Sequence, residues 1–161
     1  MNLYQWLEQL KKQLKQLLQQ LNVETNKDKL YRVAKENIGK DLSDIQSQFG
    51  CAKAVNTIHR LAFGNEIGGG ASTYLLFKAL GGREDFQEIA EYEVGAIIIS
   101  PTGTQSLNSR LQHGHTGICG KNCIMSDNSL TGLLDTQWTK STWEKFFGVY
   151  GGFPIYYFRK I

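Results

Sequence analysis

The sequence predicts an α+β domain whose helices come first and whose strands come later, preceded by a separate amphipathic helix. Three observations carry that expectation. Leucines recur at alternating spacings of four and three near the N-terminus, apolar positions at helical spacing continue to about residue 80, and short apolar runs bounded by Gly, Pro, Asn or Asp fill the second half. Elements segregated in this way pack as layers and do not form an alternating βαβ sheet.

The chain has 161 residues, 41% apolar and 20% charged, enough for one compact core and a short appendage. A net charge of +3 is too mild to argue for nucleic acid, and no nucleic-acid partner is expected; it favours approach to an anionic cell envelope. Glu8, Lys11, Lys12 and Lys15 interrupt the N-terminal leucines, which excludes both a signal-peptide apolar region and a transmembrane span. A protein without a signal peptide, cytoplasmic as synthesised, is the expectation.

Leu3, Leu7, Leu10, Leu14, Leu17 and Leu21 occupy both apolar positions of a heptad, so residues 1–23 read as an appended leucine-heptad helix. It either self-associates into a homo-oligomer or rests on its own domain; a membrane-surface role is disfavoured because its polar face is mostly glutamine. Residues 24–161 form the main domain. After a polar linker at 22–29, Leu30, Val33, Ala34 and Ile38 mark a short helix ending near Gly39. From Cys51, positions Ala54, Val55, Ile58, Leu61 and Ala62 share one helical face. Ser72 or Thr73 caps a third helix running through Leu80, and the glycine-rich 64–70 stretch before it is an irregular loop bordering a cleft. It lacks the Lys-Ser/Thr ending of a phosphate-binding loop. Val94 to Ser100, Thr116 to Gly120, Cys123 to Asp127 and Phe153 to Arg159 read as strands of a small antiparallel sheet.

Three cysteines cannot all pair within one chain, so at least one thiol is free and needs a reason. Cys51 sits in the first turn of its helix, where unpaired N–H groups favour a thiolate, and Gly50 before it removes bulk where a substrate carbonyl would approach. The Cys51 N–H would face the developing oxyanion. The plainer reading is a small buried core cysteine.

A histidine at a strand start, His115 in Gly114-His115-Thr116-Gly117-Ile118, can take and return the thiol proton. His113, two residues earlier on the same strand face, competes with it; His59 lies two turns down the Cys51 helix and cannot reach its start. If Gly120-Lys121-Asn122 is a three-residue hairpin loop, Asp127 stands opposite His115 and holds the imidazole, on the face towards the Cys51 helix. A two-residue Lys121-Asn122 loop would place Asn128 there, at the cost of positive φ at Lys121. Cys119 and Cys123 are expected as reduced core thiols, with a cross-hairpin disulfide or a metal site as weaker readings, so neither metal nor cofactor is expected. The cluster Trp138, Trp143, Phe146, Phe147, Tyr150, Phe153, Tyr156, Tyr157 and Phe158 is expected as core, with stacking on sugar rings the alternative.

Four segments, in order, resemble the CHAP and NlpC-type superfamily of cysteine, histidine-dependent amidohydrolases and peptidases, especially small phage endolysin domains. Phe49-Gly50-Cys51-Ala52-Lys53-Ala54-Val55 resembles its nucleophile helix, and Tyr92-Glu93-Val94-Gly95-Ala96-Ile97-Ile98-Ile99 its Gly-Asp-Ile-Val strand, with Ala96 in place of the usual acidic residue. Gly114-His115-Thr116-Gly117-Ile118 resembles its Gly-His-Val-Gly-Ile strand, and Ser126-Asp127-Asn128 the strand supplying the polar third residue. Over about residues 38–161 the resemblance implies a papain-like fold, peptidoglycan as substrate, and catalysis by Cys51, His115 and Asp127 or Asn128 through a thioester. It also implies an oxyanion donor just before the nucleophile, where Gln48 stands, and release by a holin or carriage in a virion. A deamidase or processing protease, a non-catalytic binding module, and a metal-binding regulator using Cys119, Cys123 and His113 are the competing functions.

Overall fold

A computed structural model describes residues 2–20, 24–43 and 50–161; Leu21, Gln48 and part of the 1–23 segment lie outside the described residues. The protein is α+β, with helices and a six-stranded antiparallel sheet. Helix α1 spans Leu3–Gln20, α2 Asn26–Glu36, α3 Gly50–Phe63 and α4 Thr73–Gly81. Strands β1 Phe86–Ile89, β2 Ile97–Ser100, β3 His115–Cys119, β4 Ile124–Asp127 and β5 Leu134–Trp138 follow. A one-turn helix α5, Lys140–Trp143, runs into a π-helical segment Glu144–Tyr150 before β6, Tyr156–Lys160. The strand order is β1-β6-β2-β3-β4-β5.

Helices α3 and α4 begin where the sequence marks them, whereas α2 begins at Asn26, inside the stretch expected as a linker. Thr25 caps α2 by accepting the Asp28 amide, and Ser72 caps α4 by accepting the Leu75 amide. Leu30, Val33 and Ala34 are buried, as are Ala54, Val55, Ile58 and Ala62; Leu61 stays half exposed on the far side of α3. Strands β1 and β5 escape sequence reading because each carries only one buried side chain and a polar outer stretch.

The sheet separates two apolar layers. Ile97, Ile99, Ile118, Met125 and Phe158 pack against Ala52, Val55 and Ile58 of α3. On the other face Ile98, Cys119, Ile124 and Tyr157 pack against Trp143, Phe147 and Phe153. Sequence-adjacent isoleucines therefore serve opposite cores, as the two-residue period of a strand requires.

The expected three-residue hairpin loop between β3 and β4 is corrected. Ile118 pairs with Met125, Cys119 with Ile124, and the Gly120 amide donates to the Cys123 carbonyl at 2.7 Å, leaving a two-residue Lys121-Asn122 connection. Apolar residues on both faces of both strands leave the hydrophobic pattern unable to choose between the two registers. A tertiary contact decides: the Tyr92 hydroxyl lies 2.8 Å from the Gly120 carbonyl and 2.9 Å from that of Cys123, tying both ends of the turn. Asp127 thus shares the α3 face with Met125, while His115 lies with Cys119 on the face of Trp143 and Phe147.

Candidate active site

Helix α3 starts at Gly50 and delivers Cys51 to the sheet between β3 and β4. In the observed register the amide of Ile118 and that of Gly120 face β4, so the next rung towards the strand ends would join the Thr116 amide to the Asp127 carbonyl. Paired residues stop at Ile118 and Met125, and both groups of that rung are spent elsewhere. The Thr116 amide faces the Cys51 sulfur and favours its thiolate, and the Asp127 backbone carbonyl faces the His115 ring and favours its charged form. Thiol and imidazole thus occupy the donor and acceptor sides of one opened rung, approaching it from opposite faces of the sheet.

The electrostatics follow from this enclosure. Cys51 is 5% exposed, and burial, joined by the nearby Asp127 carboxyl, pushes its thiol up to about 12 against the pull of the Thr116, Ala52 and Cys51 amides. Burial pushes His115 down to about 4, opposed by its bond to the Asp127 carbonyl. The pair rests as neutral thiol and neutral imidazole, because desolvation outweighs the helix terminus that would favour a thiolate. His115 Nε2 is buried and makes no hydrogen bond among the described residues. Nε2 therefore makes no hydrogen bond to the Cys51 sulfur.

Asp127 lies beside the start of α3, on a different route from the expected one. A Cβ placed on Gly50 would sit 2.7 Å from Asp127 Oδ2 and 2.7 Å from the Ser43 Cβ, so glycine is needed there to admit the carboxyl and Ser43. The expectation that Gly50 clears space for substrate is corrected accordingly. Burial, then the like charge of Asp41, raises the Asp127 carboxyl to about 6; Asp41 itself accepts from the Ser43 amide and hydroxyl at 2.9 and 2.8 Å. Asn128 turns away, its Nδ2 donating to Asp135 at 3.1 Å and its Oδ1 accepting from the Leu130 amide at 3.0 Å.

Aromatic rings wall the histidine. Phe147 stacks on its ring with centroids 5.5 Å apart at 12°, and Trp143 lies 5.3 Å away, fixed by its own Nε1 bond of 3.1 Å to Ser100. The π-helical winding of residues 144–150 follows Trp143 directly and carries Phe147 against this wall. Of the aromatic cluster, Trp143, Phe147, Phe153, Tyr157 and Phe158 are buried, whereas Phe146 and Tyr150 line an open cleft of about 370 Å³ with Trp138, Thr142 and Lys145.

Other sequence candidates lie outside the site. His59 is fully buried and bonds the Asn65 carbonyl through Nδ1 at 2.6 Å. His113 precedes β3 on an exposed stretch. Cys119 packs in the Trp143 layer and Cys123 against the α3 layer, so the two thiols face different cores. The Gly68-Gly69-Gly70 loop is clasped by Asn56, whose Oδ1 accepts from the Ile67 and Gly68 amides and whose Nδ2 donates to the Gly68 and Gly70 carbonyls. These four bonds hold the loop to α3. No group of three metal-ligating side chains occurs among the described residues.

Sequence reasoning missed Thr116, Ser126 and the Trp143–Phe147 wall. Thr116 acts through its amide, which no sequence pattern displays. Ser126 is 1% exposed on the His115 face, opposite Gly117, with its hydroxyl unpartnered among the described residues. Its polarity within an apolar strand was the available signal.

Compared with family models, curated proteins and solved structures, the chain matches none of them. No helix among the described residues is long and apolar enough to cross a membrane.

Proposed function

We propose that this chain is a cysteine-nucleophile hydrolase of papain-like arrangement, cleaving peptide or amide bonds in bacterial cell-wall peptidoglycan. The observation that supports the chemistry is the opened β3–β4 rung, whose Thr116 amide faces the Cys51 sulfur and whose Asp127 carbonyl faces the His115 ring. Peptidoglycan as substrate rests on the motif resemblance together with the mild positive charge.

The reaction starts from the neutral pair. His115 Nε2 takes the thiol proton as sulfur attacks the acyl carbon, and the Cys51 amide at the start of α3 faces the resulting oxyanion. The imidazolium returns its proton to the leaving amine, and water activated by the again-neutral imidazole hydrolyses the thioester. The Asp127 carbonyl keeps the imidazole in the required tautomer throughout. Neither metal nor organic cofactor enters these steps.

The burial of the thiol favours a second reading, a domain that binds its target without cleaving it. Incubation with purified peptidoglycan and mass analysis of soluble fragments separates the two. The hydrolase releases fragments with new stem-peptide or lactyl ends, and Cys51→Ala releases none. Wall binding with no fragments from the native chain would leave the binding domain as the reading, and cleavage of a different acyl substrate would move the activity to a deamidase or processing protease.

A further inference from the structure

The leucine stripe of α1 is uncovered. Leu3, Leu7, Leu10, Leu14 and Leu17 are between 41% and 74% exposed, so the helix does not rest its apolar face on its own domain. An 18-residue helix spans about 27 Å and gains little stability in water without a packed face. The seam holds one leucine every three or four residues, with Tyr4, Trp6 and Leu18 at the positions beside it and Gln5, Gln9, Lys12, Lys15 and Gln16 around the rest of the helix, which is a heptad pattern with partly apolar flanks.

We infer that α1 is a parallel coiled-coil self-association element whose occupant is a second copy of this chain. Taking Leu3, Leu10 and Leu17 as d and Leu7 and Leu14 as a, the flanking g positions hold Trp6, Gln13 and Gln20 and the e positions hold Tyr4, Lys11 and Leu18. In parallel register g of one helix faces the following e of the other, setting the Trp6 ring beside the Lys11 ammonium of the second copy. No like charges meet across that seam. An antiparallel alignment brings e against e and sets Lys11 beside Lys11, with only the intrahelical Glu8 bond of 2.8 Å to offset the repulsion. Parallel pairing places both main domains at the same end of the stalk, so two copies can engage one polymeric target together.

The test uses the full chain and does not depend on the hydrolase reading. Sedimentation velocity across the micromolar range is expected to show a concentration-dependent oligomer, and the Leu10→Glu/Leu14→Glu chain is expected to run as a monomer of unchanged thermal transition. Trp6→Ala is expected to weaken association about two- to fivefold. Leu3→Cys, at a d position of the seam, is expected to cross-link between copies under mild oxidation, where the parent chain does not. A native chain that stays monomeric, with or without binding to anionic phospholipid vesicles, overturns the proposal; oligomers without the Leu3→Cys cross-link overturn its parallel orientation.

Discussion

The amide of Thr116 points at the sulfur of Cys51, and it does so because Thr116 is released from its place in the β3–β4 ladder. The same release frees the Asp127 carbonyl for the ring of His115, the residue immediately before Thr116. One unmade backbone hydrogen bond therefore frees the two groups that face the Cys51 sulfur and the His115 ring.

Removal of either partner is expected to abolish hydrolysis while sparing the fold. Cys51→Ala and His115→Asn should each lower kcat by on the order of a thousandfold or more, because nucleophile and base act as a unit. Fragment release from peptidoglycan measures the loss, and circular dichroism checks the fold. A variant at either position that keeps its rate would remove that residue from the mechanism.

Asp127→Asn is expected to behave differently, since the imidazole is held by the main-chain carbonyl, which asparagine retains. The rate should fall by less than about tenfold. Stability carries a defined sign. The folded protein raises this carboxyl from its ordinary 3.8 to about 6, so the native state binds the proton more tightly and stability declines as pH rises through that window. The asparagine chain should therefore gain about 1 to 3 kcal/mol over the parent near neutral pH and nothing below about pH 3.5. Denaturant midpoints of the two chains at both pH values give the difference, in which the opposite pH response of His115 cancels. A gain of equal size at both pH values would contradict the carboxylate origin.

Thiol labelling should follow burial and not the helix terminus. With Cys51 held near 12 and 5% exposed, iodoacetamide near neutral pH should modify the partly exposed Cys123 first. Peptide mass mapping over time reads the order. Fast modification of Cys51 in the free protein would show a resting thiolate and reverse the assignment of the neutral pair.

Gly50→Ala is expected to destabilise the chain by about 1 to 3 kcal/mol, because its methyl would overlap the Asp127 carboxyl and Ser43. A larger loss is expected at Gly114→Ala, where an added Cβ would overlap the backbone carbonyl of Ser100. Thermal melts test both; an unchanged melt for Gly50→Ala would place Asp127 away from the start of α3.

Much of this architecture was legible in the residues. The helices through α4 showed in apolar spacing and caps, and the inner strands in short apolar runs, because local propensity and burial agree there. Cys51 was readable from its place at a helix start and His115 from its place at a strand start. The role of Asp127 was not: parity along a strand fixes faces only once the register is known, and Ile118, Cys119, Ile124 and Met125 fill both cores equally well in either register.

The sequence by itself determined the α+β class, the leucine seam and which side chains could act as nucleophile and base, since these follow from spacing and chemical type. Tertiary structure alone decided that the Tyr92 hydroxyl fixes the hairpin, that β3 and β4 part at Thr116, and that Asp127 meets His115 through its backbone. Backbone groups carry no signature in the residue alphabet, so their pairing is settled only when distant segments pack together.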